Sequence, residues 1–183
     1  MTPKLSILII TIPSRAEKLQ RLLDVLRPQL PTDQSVEVII KEELPANDGG
    51  PTVGANRNAA MADATGDYVC FIDDDDLVSE HYIKCFLEAI KTNPDVVELR
   101  GDYTLGNNPP ERFIHSIRFS EWKTVDGVHQ RTPNHLNCVK RSLALQVPFP
   151  EKNYGEDFDY SLALRPLLKT EAELTEVIYL YLK

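Results

Sequence analysis

Three continuous apolar runs, separated by segments with helical patterning, constrain the fold of this chain more than any other feature. They span residues 5–11, 36–40 and 68–72. An apolar run without polar alternation is typical of a strand that is covered on both faces. Between the first two runs, leucines recur at helical spacing over residues 19–26 and form one apolar stripe. This alternation predicts an α/β fold with a mostly parallel central sheet flanked by helices.

Local signals place further elements along the chain. Ser14 and Glu17 have the spacing of a capping box, which predicts that a helix begins at residue 14. Gly66 is predicted to be the C-cap of a later helix, over residues 53–64. The other predicted elements are helices over residues 53–64, 79–91, from 142 and 155–168, and strands over 96–99, 136–139 and 177–182.

The composition of the chain changes after residue 100 without a linker or a repeat. Pro109-Pro110 and Asp126-Gly127 indicate loops and hairpins in place of another helical layer. We therefore predict a single domain over residues 1–183, with two halves at 1–100 and 101–183.

Four consecutive carboxylates, Asp73 to Asp76, directly follow the third apolar run. Adjacent like charges raise one another's pKa, so such a run is costly unless a cation lies nearby. In open α/β sheets the carboxyl ends of the strands are also where ligands bind. Oxygen ligands suit Mg²⁺ or Mn²⁺, so a metal site is one interpretation. The alternative is a solvated acidic loop in which Asp76 or Ser79 caps the next helix.

Charge and composition exclude several classes of protein. The net charge of −8 argues against a broad basic surface for nucleic acid. No segment approaches the roughly 20 apolar residues of a membrane span, and no signal peptide opens the sequence. The cysteines, Cys70, Cys85 and Cys138, lack the spacing of a zinc or redox motif and are predicted to be buried thiols. A soluble, cytoplasmic protein is the expectation.

Two motifs in the first half resemble those of a known family. They are Gly54-Ala-Asn-Arg57-Asn58 and Ala64-Thr-Gly-Asp-Tyr-Val-Cys-Phe-Ile-Asp73-Asp-Asp75-Asp76. Together with the opening strand and the strand at residues 36–40, they resemble the core of the family 2 glycosyltransferases, which have the GT-A (Rossmann-like) fold. The resemblance covers residues 4 to about 90 and reappears at Gly155-Glu156-Asp157.

The resemblance implies a nucleotide-sugar site in residues 1–100 that depends on Mn²⁺ or Mg²⁺. It implies Asp75 as the direct metal ligand, with Asp73 as a further ligand, and Asp73 or Asp74 reaching the ribose or the sugar. Arg57 matches a donor-contacting arginine, and its alternative role is a salt bridge to the aspartate cluster. The remaining candidate donor contacts are Thr11, Pro13 and Arg15.

The same resemblance implies that residues 101–183 bind the acceptor and hold the catalytic base. Asp157 matches the base, which takes the proton from the acceptor hydroxyl, and Glu156 is the substitute candidate. Direct displacement with inversion at the sugar carbon follows from the family. The alternative is that both residues are only helix N-terminal acids that favour the helix dipole.

Several residues depart from the family pattern or leave alternatives open. Lys41-Glu42-Glu43 stands where the family has an aspartate pair, so Glu42 or Glu43 is expected to read the base, with Asp48 as a third candidate. The identity of the nucleotide is therefore open, and UDP is the default. His135 is either a metal ligand or structural. Trp122 either stacks on a sugar or belongs to the core.

Two other functions compete with an inverting glycosyltransferase. A nucleotidyltransferase also combines an α/β sheet with acidic metal ligands, but the segment from Thr11 to Arg15 lacks the expected glycines. A non-catalytic nucleotide-sugar-binding module is the other alternative. The acceptor is not specified by the sequence, and glycan, glycolipid, protein and small-molecule acceptors all remain open.

Overall fold

The structure, a computed structural model, describes residues 2–182 and contains two six-stranded sheets with helices. The strands are β1 (Leu5–Thr11), β2 (Val36–Glu42), β3 (Tyr68–Phe71), β4 (Leu77–Val78), β5 (Val96–Val97), β6 (Leu99–Thr104), β7 (Glu111–His115), β8 (Lys123–Val125), β9 (Val128–Arg131), β10 (Val139–Lys140), β11 (Glu171–Ala172) and β12 (Tyr179–Leu182). The α-helices are α1 (Ala16–Leu26), α2 (Val53–Asp63), α3 (Tyr82–Ala89), α4 (Arg141–Ala144) and α5 (Glu156–Leu164).

The first sheet has the strand order β11-β5-β10-β3-β1-β2. β1 lies between β2 and β3 and is parallel to both, so that Leu8 is opposite Ile39 on one side and Phe71 on the other. β5 and β11 are also parallel, whereas β10 is antiparallel to both of its neighbours. The prediction of an α/β fold with a mostly parallel central sheet is confirmed.

Both faces of this sheet are covered at β1 and β3, as their apolar runs predict, whereas β2 is an edge strand that is only partly buried, with Ile40 exposed. Ile7 of β1 belongs to a core with Leu22 of α1 and Phe86 of α3. Leu8 belongs to a second core with Met61 of α2, to which α5 also contributes. Alternate side chains of one strand therefore enter different cores, and polar alternation would be unfavourable at either face.

The second sheet is mixed and has the order β4-β12-β6-β7-β9-β8. The strand predicted at residues 96–99 is divided between the two sheets, because the chain leaves the first sheet after β5 and enters the second at β6. Glu98 lies at this crossing, fully buried, and its carboxylate accepts hydrogen bonds from Arg100 and Arg118. The predicted turn at Asp126-Gly127 joins β8 to β9, and both residues have positive φ.

The predicted start of α1 and the predicted cap of α2 are wrong. Residues 13–15 form a 3₁₀ turn, so α1 begins at Ala16 and no side chain caps it. α2 ends at Asp63, and Gly66 is not its cap. Gly66 instead donates its N–H to Ser6 Oγ at 2.8 Å, and a Cβ there would lie 2.8 Å from the Ser6 nitrogen. The glycine allows this segment to approach β1 closely.

The other predicted elements are shorter than expected. The helix predicted at 79–91 is α3 with a 3₁₀ turn over Ile90–Thr92, and the helix predicted at 155–168 is α5 with a 3₁₀ turn over Arg165–Leu167. The strand predicted at 136–139 is reduced to β10. Cys70 and Cys138 are buried as predicted, and Cys85 is partly buried. Among the helices in residues 2–182, none is both long enough and apolar enough to cross a bilayer.

Candidate active site

A cleft of about 940 Å³ opens at the carboxyl ends of β1 and β3. Thr11 is the last residue of β1, and the acidic run follows β3 directly. Because the two strands are parallel neighbours, these residues meet at the same edge of the sheet. The predicted site residues that line the cleft are Thr11, Arg15, Arg57, Asp73, Asp74 and Asp75.

Asp74 is buried and is held by the end of β1 and the turn that follows it. Its carboxylate accepts hydrogen bonds from Thr11 Oγ1 and from Arg15 Nη1, each at 2.7 Å. Burial raises the pKa of Asp74, and these two donors partly oppose the increase. Asp74 therefore fixes the position of the loop after β1 relative to the acidic run.

Asp75 faces three basic side chains, one just before α1 and two within it. Arg15 Nη1 and Lys18 Nζ both lie 3.5 Å from Asp75 Oδ2. Arg21 Nη2 donates to the Asp75 carbonyl oxygen at 3.1 Å. Lys18 and Arg21 also line the cleft, and sequence reasoning missed them. Their signal was present, because they follow Arg15 at intervals of three residues and so share one face of the helix.

Arg57 is buried between Asp73 and Glu156. Its Nη2 donates to Asp73 Oδ1 at 2.9 Å and its Nε to Glu156 Oε1 at 3.3 Å. The guanidinium also lies 5.3 Å from the centroid of the Phe71 ring. Burial would lower the pKa of Arg57, but the charges of Asp73 and then Glu156 outweigh it and raise the pKa. The salt bridge considered from the sequence is therefore present.

The charge of Arg57 acts in turn on Asp73. Burial alone would raise the pKa of Asp73, but the charge of Arg57, followed by that of His135, holds the pKa below its ordinary value. Asp73 is therefore ionised near neutral pH. Arg57 Nη1, by contrast, is buried without a hydrogen-bond partner among the described residues, as is Oδ1 of the neighbouring Asn56. Both residues line the cleft, but these two atoms are themselves buried, so a ligand would reach them only if the side chains moved.

Gly54 explains how α2 brings Arg57 to Glu156. Thr52 caps α2 by accepting a hydrogen bond from Ala55 N–H at 3.2 Å. Gly54 donates its N–H to Lys152 O at 3.1 Å, and a Cβ on Gly54 would lie only 1.8 Å from Pro150 O. The glycine of the motif therefore lets the first turn of α2 lie against the segment that leads into α5.

We expect Gly54→Ala to displace α2 from that segment and to destabilise the protein by about 1–3 kcal/mol, because the atom it meets is a backbone oxygen. Urea unfolding measures the loss. Gly127→Asn is a suitable comparison, since nothing lies within 4 Å of a Cβ there and asparagine tolerates a positive φ. Equal stability of wild type and Gly54→Ala would contradict the close approach.

Glu156 and Asp157 begin α5 but have different surroundings. Gly155 precedes them with a φ of 72°, which turns the chain into the helix. Glu156 is buried, and its carboxylate is bound to Arg57. Asp157 is half-buried, and within residues 2–182 its carboxylate makes no hydrogen bond or ion pair. The two acids are therefore not equivalent: the Asp157 carboxylate is the unpaired one among the described residues, although neither acid lines the cleft.

Four candidate base-reading or donor residues lie outside the lining of the cleft: Pro13, Glu42, Glu43 and Asp48, all of which are exposed. β2 continues through Glu42, and Glu43 donates its N–H to Thr11 O at 3.2 Å. Residues 44–47, which lie between Glu43 and Asp48, line the cleft instead.

His135 lies beside Asp73, as a metal ligand would. Its Nε2 is 3.4 Å from Asp73 Oδ1, and both ring nitrogens are buried without a hydrogen-bond partner among the described residues. Across residues 2–182, however, no three His, Cys, Asp or Glu side chains are arranged to hold a metal ion together. Mg²⁺ commonly binds one or two carboxylates and takes its other ligands from phosphate and water. The carboxylates of Asp73 and Asp75, both at the cleft, fit that kind of site.

Asp76 does not cap the next helix, which was one possibility in the alternative interpretation of the acidic run. Its carboxylate accepts hydrogen bonds from Tyr179 Oη at 2.8 Å and from Leu182 N–H at 2.9 Å. Burial, followed by the charge of Asp73, raises the pKa of Asp76 to about 8. The residue therefore attaches β12 to the acidic run, and Tyr181 and Leu182 of that strand line the cleft.

Lys140 and Arg141 lie at the opposite edge of the sheet. They line a second cavity of about 790 Å³ together with Lys4, which precedes β1, and Tyr68, which begins β3. Arg141 Nε donates to Gly66 O at 2.7 Å. These two residues are therefore separate from the cleft.

Comparisons with known proteins bear on the fold and the family of this chain. Solved structures of S. aureus TarS match 98% of this chain: TarS at 18% identity and a TM-score of 0.72, its fragment 1–349 with UDP-GlcNAc at 17% and 0.68, and the same fragment with UDP at 19% and 0.70. This chain spans 37%, 58% and 60% of those chains, respectively. At these identities the likeness shows the fold alone, and it confirms the GT-A (Rossmann-like) architecture.

No curated protein matches the chain in sequence. The model of the family described as "Glycosyl transferase family 2" matches residues 45–146, which is more than half of the chain. The matched region contains α2 with Arg57, the whole acidic run and His135. This chain therefore belongs to glycosyl transferase family 2.

Proposed function

We propose that this chain is an inverting glycosyltransferase that moves a sugar from a nucleotide-diphosphate sugar to an acceptor hydroxyl. The observation that supports it best is the difference between the two acids at the start of α5. Glu156 is bound to Arg57, whereas Asp157 has no partner among residues 2–182. A half-buried carboxylate without a partner, on the helix that contacts the donor-binding arginine, is suited to accept a proton.

The cleft suits a nucleotide-sugar donor in size and chemistry. Its volume of about 940 Å³ is in the range of small-molecule sites. Arg15, Lys18 and Arg21 line the cleft and offer cationic hydrogen-bond donors to a diphosphate. A UDP-sugar is the proposed donor, since the similar TarS fragments are described with UDP and UDP-GlcNAc.

A divalent cation, Mn²⁺ or Mg²⁺, would be held by Asp75 and Asp73 together with the diphosphate of the donor. Bound there, it would neutralise the charge that develops on the leaving diphosphate. Arg15 and Lys18 lie within 3.5 Å of Asp75 and supply additional positive charge at the same side of the cleft. His135, beside Asp73, is the further candidate ligand.

The protein residues then divide the remaining work. Arg57 and Asp73 orient the donor. Their mutual ion pair, at 2.9 Å, holds both side chains in place before the donor binds. Asp157 takes the proton from the acceptor hydroxyl while that oxygen forms a bond to the anomeric carbon and the bond to the diphosphate breaks on the opposite face. This direct displacement inverts the configuration of the sugar carbon and forms no covalent sugar–enzyme intermediate.

The test of donor binding is thermal stability against a panel of nucleotide sugars. We expect one donor, at about 100 times its Kd and with Mn²⁺, to raise the Tm by roughly 5–10 °C. Without Mn²⁺ the increase should be much smaller, and Asp75→Asn should remove the dependence on metal. The matched control is Asp126→Asn, because Asp126 is exposed in the β8–β9 turn. A folded wild-type protein that responds to no donor would contradict the proposal.

A non-catalytic nucleotide-sugar-binding module is the second candidate, and it is favoured by the buried ion pair between Glu156 and Arg57, which is compatible with a purely structural role. Such a module would bind the donor in the same way but would be indifferent to the loss of the Asp157 carboxylate. Turnover by Asp157 variants therefore separates the two functions.

A further inference from the structure

Arg131 is a half-buried cation without an acidic partner. It is the last residue of β9, and its guanidinium lies 4.5 Å from the centroid of the Trp122 ring. Within residues 2–182 its side chain makes no hydrogen bond and no ion pair. Its nitrogens are not among the fully buried atoms that lack a partner, so the guanidinium keeps contact with solvent and is open to a ligand.

The groups whose charges influence Arg131 belong to α5, β12 and β6. Burial lowers the pKa of Arg131, and the charge of Asp157 opposes this most, followed by Tyr181 and Tyr103. Asp157 begins α5, and Tyr181 lines the cleft. Arg131 itself is not part of the cleft lining, so it lies beside the proposed donor site and not inside it.

Contacts of Trp122 fix Arg131 relative to α5. Trp122 Nε1 donates to Thr132 Oγ1 at 2.9 Å, and the Thr132 hydroxyl contacts the hydroxyl of Ser161 on α5. The Trp122 ring also packs edge-to-face against Phe158, with 5.1 Å between ring centroids. One face of the ring is therefore occupied by Arg131, and Trp122 acts as a positioning residue instead of a free platform for a sugar.

We propose that Arg131 binds an anionic group, phosphate or carboxylate, on the acceptor while the reacting hydroxyl lies at Asp157. The proposal rests on the proposed function, since it assumes that the reacting hydroxyl of the acceptor lies at Asp157. The net charge of −8 and the acidic run would repel an anionic acceptor, so a positioned cation is needed where such a group binds. A guanidinium suits both ligands because it donates parallel hydrogen bonds to two oxygens.

The test uses three probes with the same sugar ring: glucose, glucose 6-phosphate and glucuronate. Binding is measured by calorimetry on protein saturated with UDP and Mn²⁺, so that phosphate does not compete for the donor site, and again without UDP. Arg131→Met removes the charge, and Arg131→Lys keeps it without the planar fork. Arg112→Met is the matched control, since Arg112 lies on the neighbouring β7 and is already paired with Asp102 at 2.7 Å.

We expect wild type and Arg112→Met to bind at least one charged probe about tenfold or more tighter than glucose. Arg131→Met should bind all three alike, and Arg131→Lys should retain part of the preference. The stronger of the two charged probes identifies the anion as phosphate or carboxylate. A Trp122→Leu variant should weaken the preference while leaving the Tm increase with UDP unchanged.

Two results would overturn the inference. One is an equal affinity of wild type for charged and neutral probes, and the other is a preference that persists in Arg131→Met. The increase in Tm with UDP, measured on the same samples, tests donor binding separately. If UDP does not bind, the proposed function fails, and the titrations without UDP still decide whether Arg131 recognises an anion.

Discussion

Replacing Asp157 by Asn is expected to reduce the rate of sugar transfer by about 10²–10⁴-fold while leaving donor binding unchanged. The amide keeps the size of the side chain but cannot accept the proton of the acceptor hydroxyl. Since the carboxylate makes no hydrogen bond or ion pair among residues 2–182, its loss breaks neither and removes only the influence of its charge on Arg131 and Arg57. Release of the nucleotide in the presence of acceptor measures the rate, and the Tm increase with donor measures binding.

Asp159 offers a matched control for this substitution. It lies on the same helix two residues away, is exposed, and is paired with Lys152. Asp159→Asn makes the same chemical change and should keep the rate within about twofold, because exposed ion pairs contribute little. Full transfer activity in Asp157→Asn would exclude Asp157 as the base and favour a module that only binds the donor.

Glu156→Gln addresses the substitute base, and we expect it to lower stability because it weakens the contact with Arg57.

Arg57→Met is expected to have the largest effect on stability, a loss of about 3–5 kcal/mol in the free energy of unfolding. The substitution keeps apolar contact with Phe71 but leaves the carboxylates of Asp73 and Glu156 without their cation. The buried Glu156 must then be protonated or hydrated, and either costs free energy. Urea unfolding of the purified variant, analysed with a two-state model, gives the difference.

Arg112→Met is the comparison for this prediction. It also removes an arginine from an ion pair, with Asp102, but the Arg112 side chain is 44% exposed whereas that of Arg57 is 6% exposed. We expect its effect to stay below about 1 kcal/mol. If both variants lost similar amounts, burial would not be the reason for the importance of Arg57. The double variant Arg57→Met, Glu156→Gln should recover part of the loss, since it removes one of the two orphaned charges.

The central part of the fold and much of the site are predictable from local sequence. Apolar runs identified β1, β2 and β3 without reference to any other segment, although β2 is a partly exposed edge strand and is not covered on both faces. The edge at which parallel strands end then determined that Thr11 and the acidic run would meet. Arg57 was found through its motif, and the structure gives the physical reason for the motif's glycine, Gly54, which lies against Pro150.

What the sequence did not predict depends on contacts between distant segments. Ser14 has the spacing of a helix cap, but Pro13 begins a 3₁₀ turn that moves the helix start. Asp76 resembles a helix-capping residue, but its hydrogen bonds go to β12, more than a hundred residues away. The segment predicted as one strand at residues 96–99 is divided at Glu98, because β5 pairs in the first sheet and β6 in the second. Periodicity carries no information about such pairings.

The attachment of β12 to Asp76 has a consequence for how the protein acquires its binding site during synthesis. The wall of the cleft formed by Tyr181 and Leu182 is held by residues separated by 103 and 106 positions. Loops of that length close slowly compared with the formation of local helices and hairpins. On the ribosome, β1, β3 and the acidic run emerge long before β12, so a nascent chain contains the acidic run while one wall of its pocket is still absent. Capture of the nucleotide is therefore expected to follow the pairing of β12 with β6, and a nascent chain halted before residue 179 should fold in part but retain no donor.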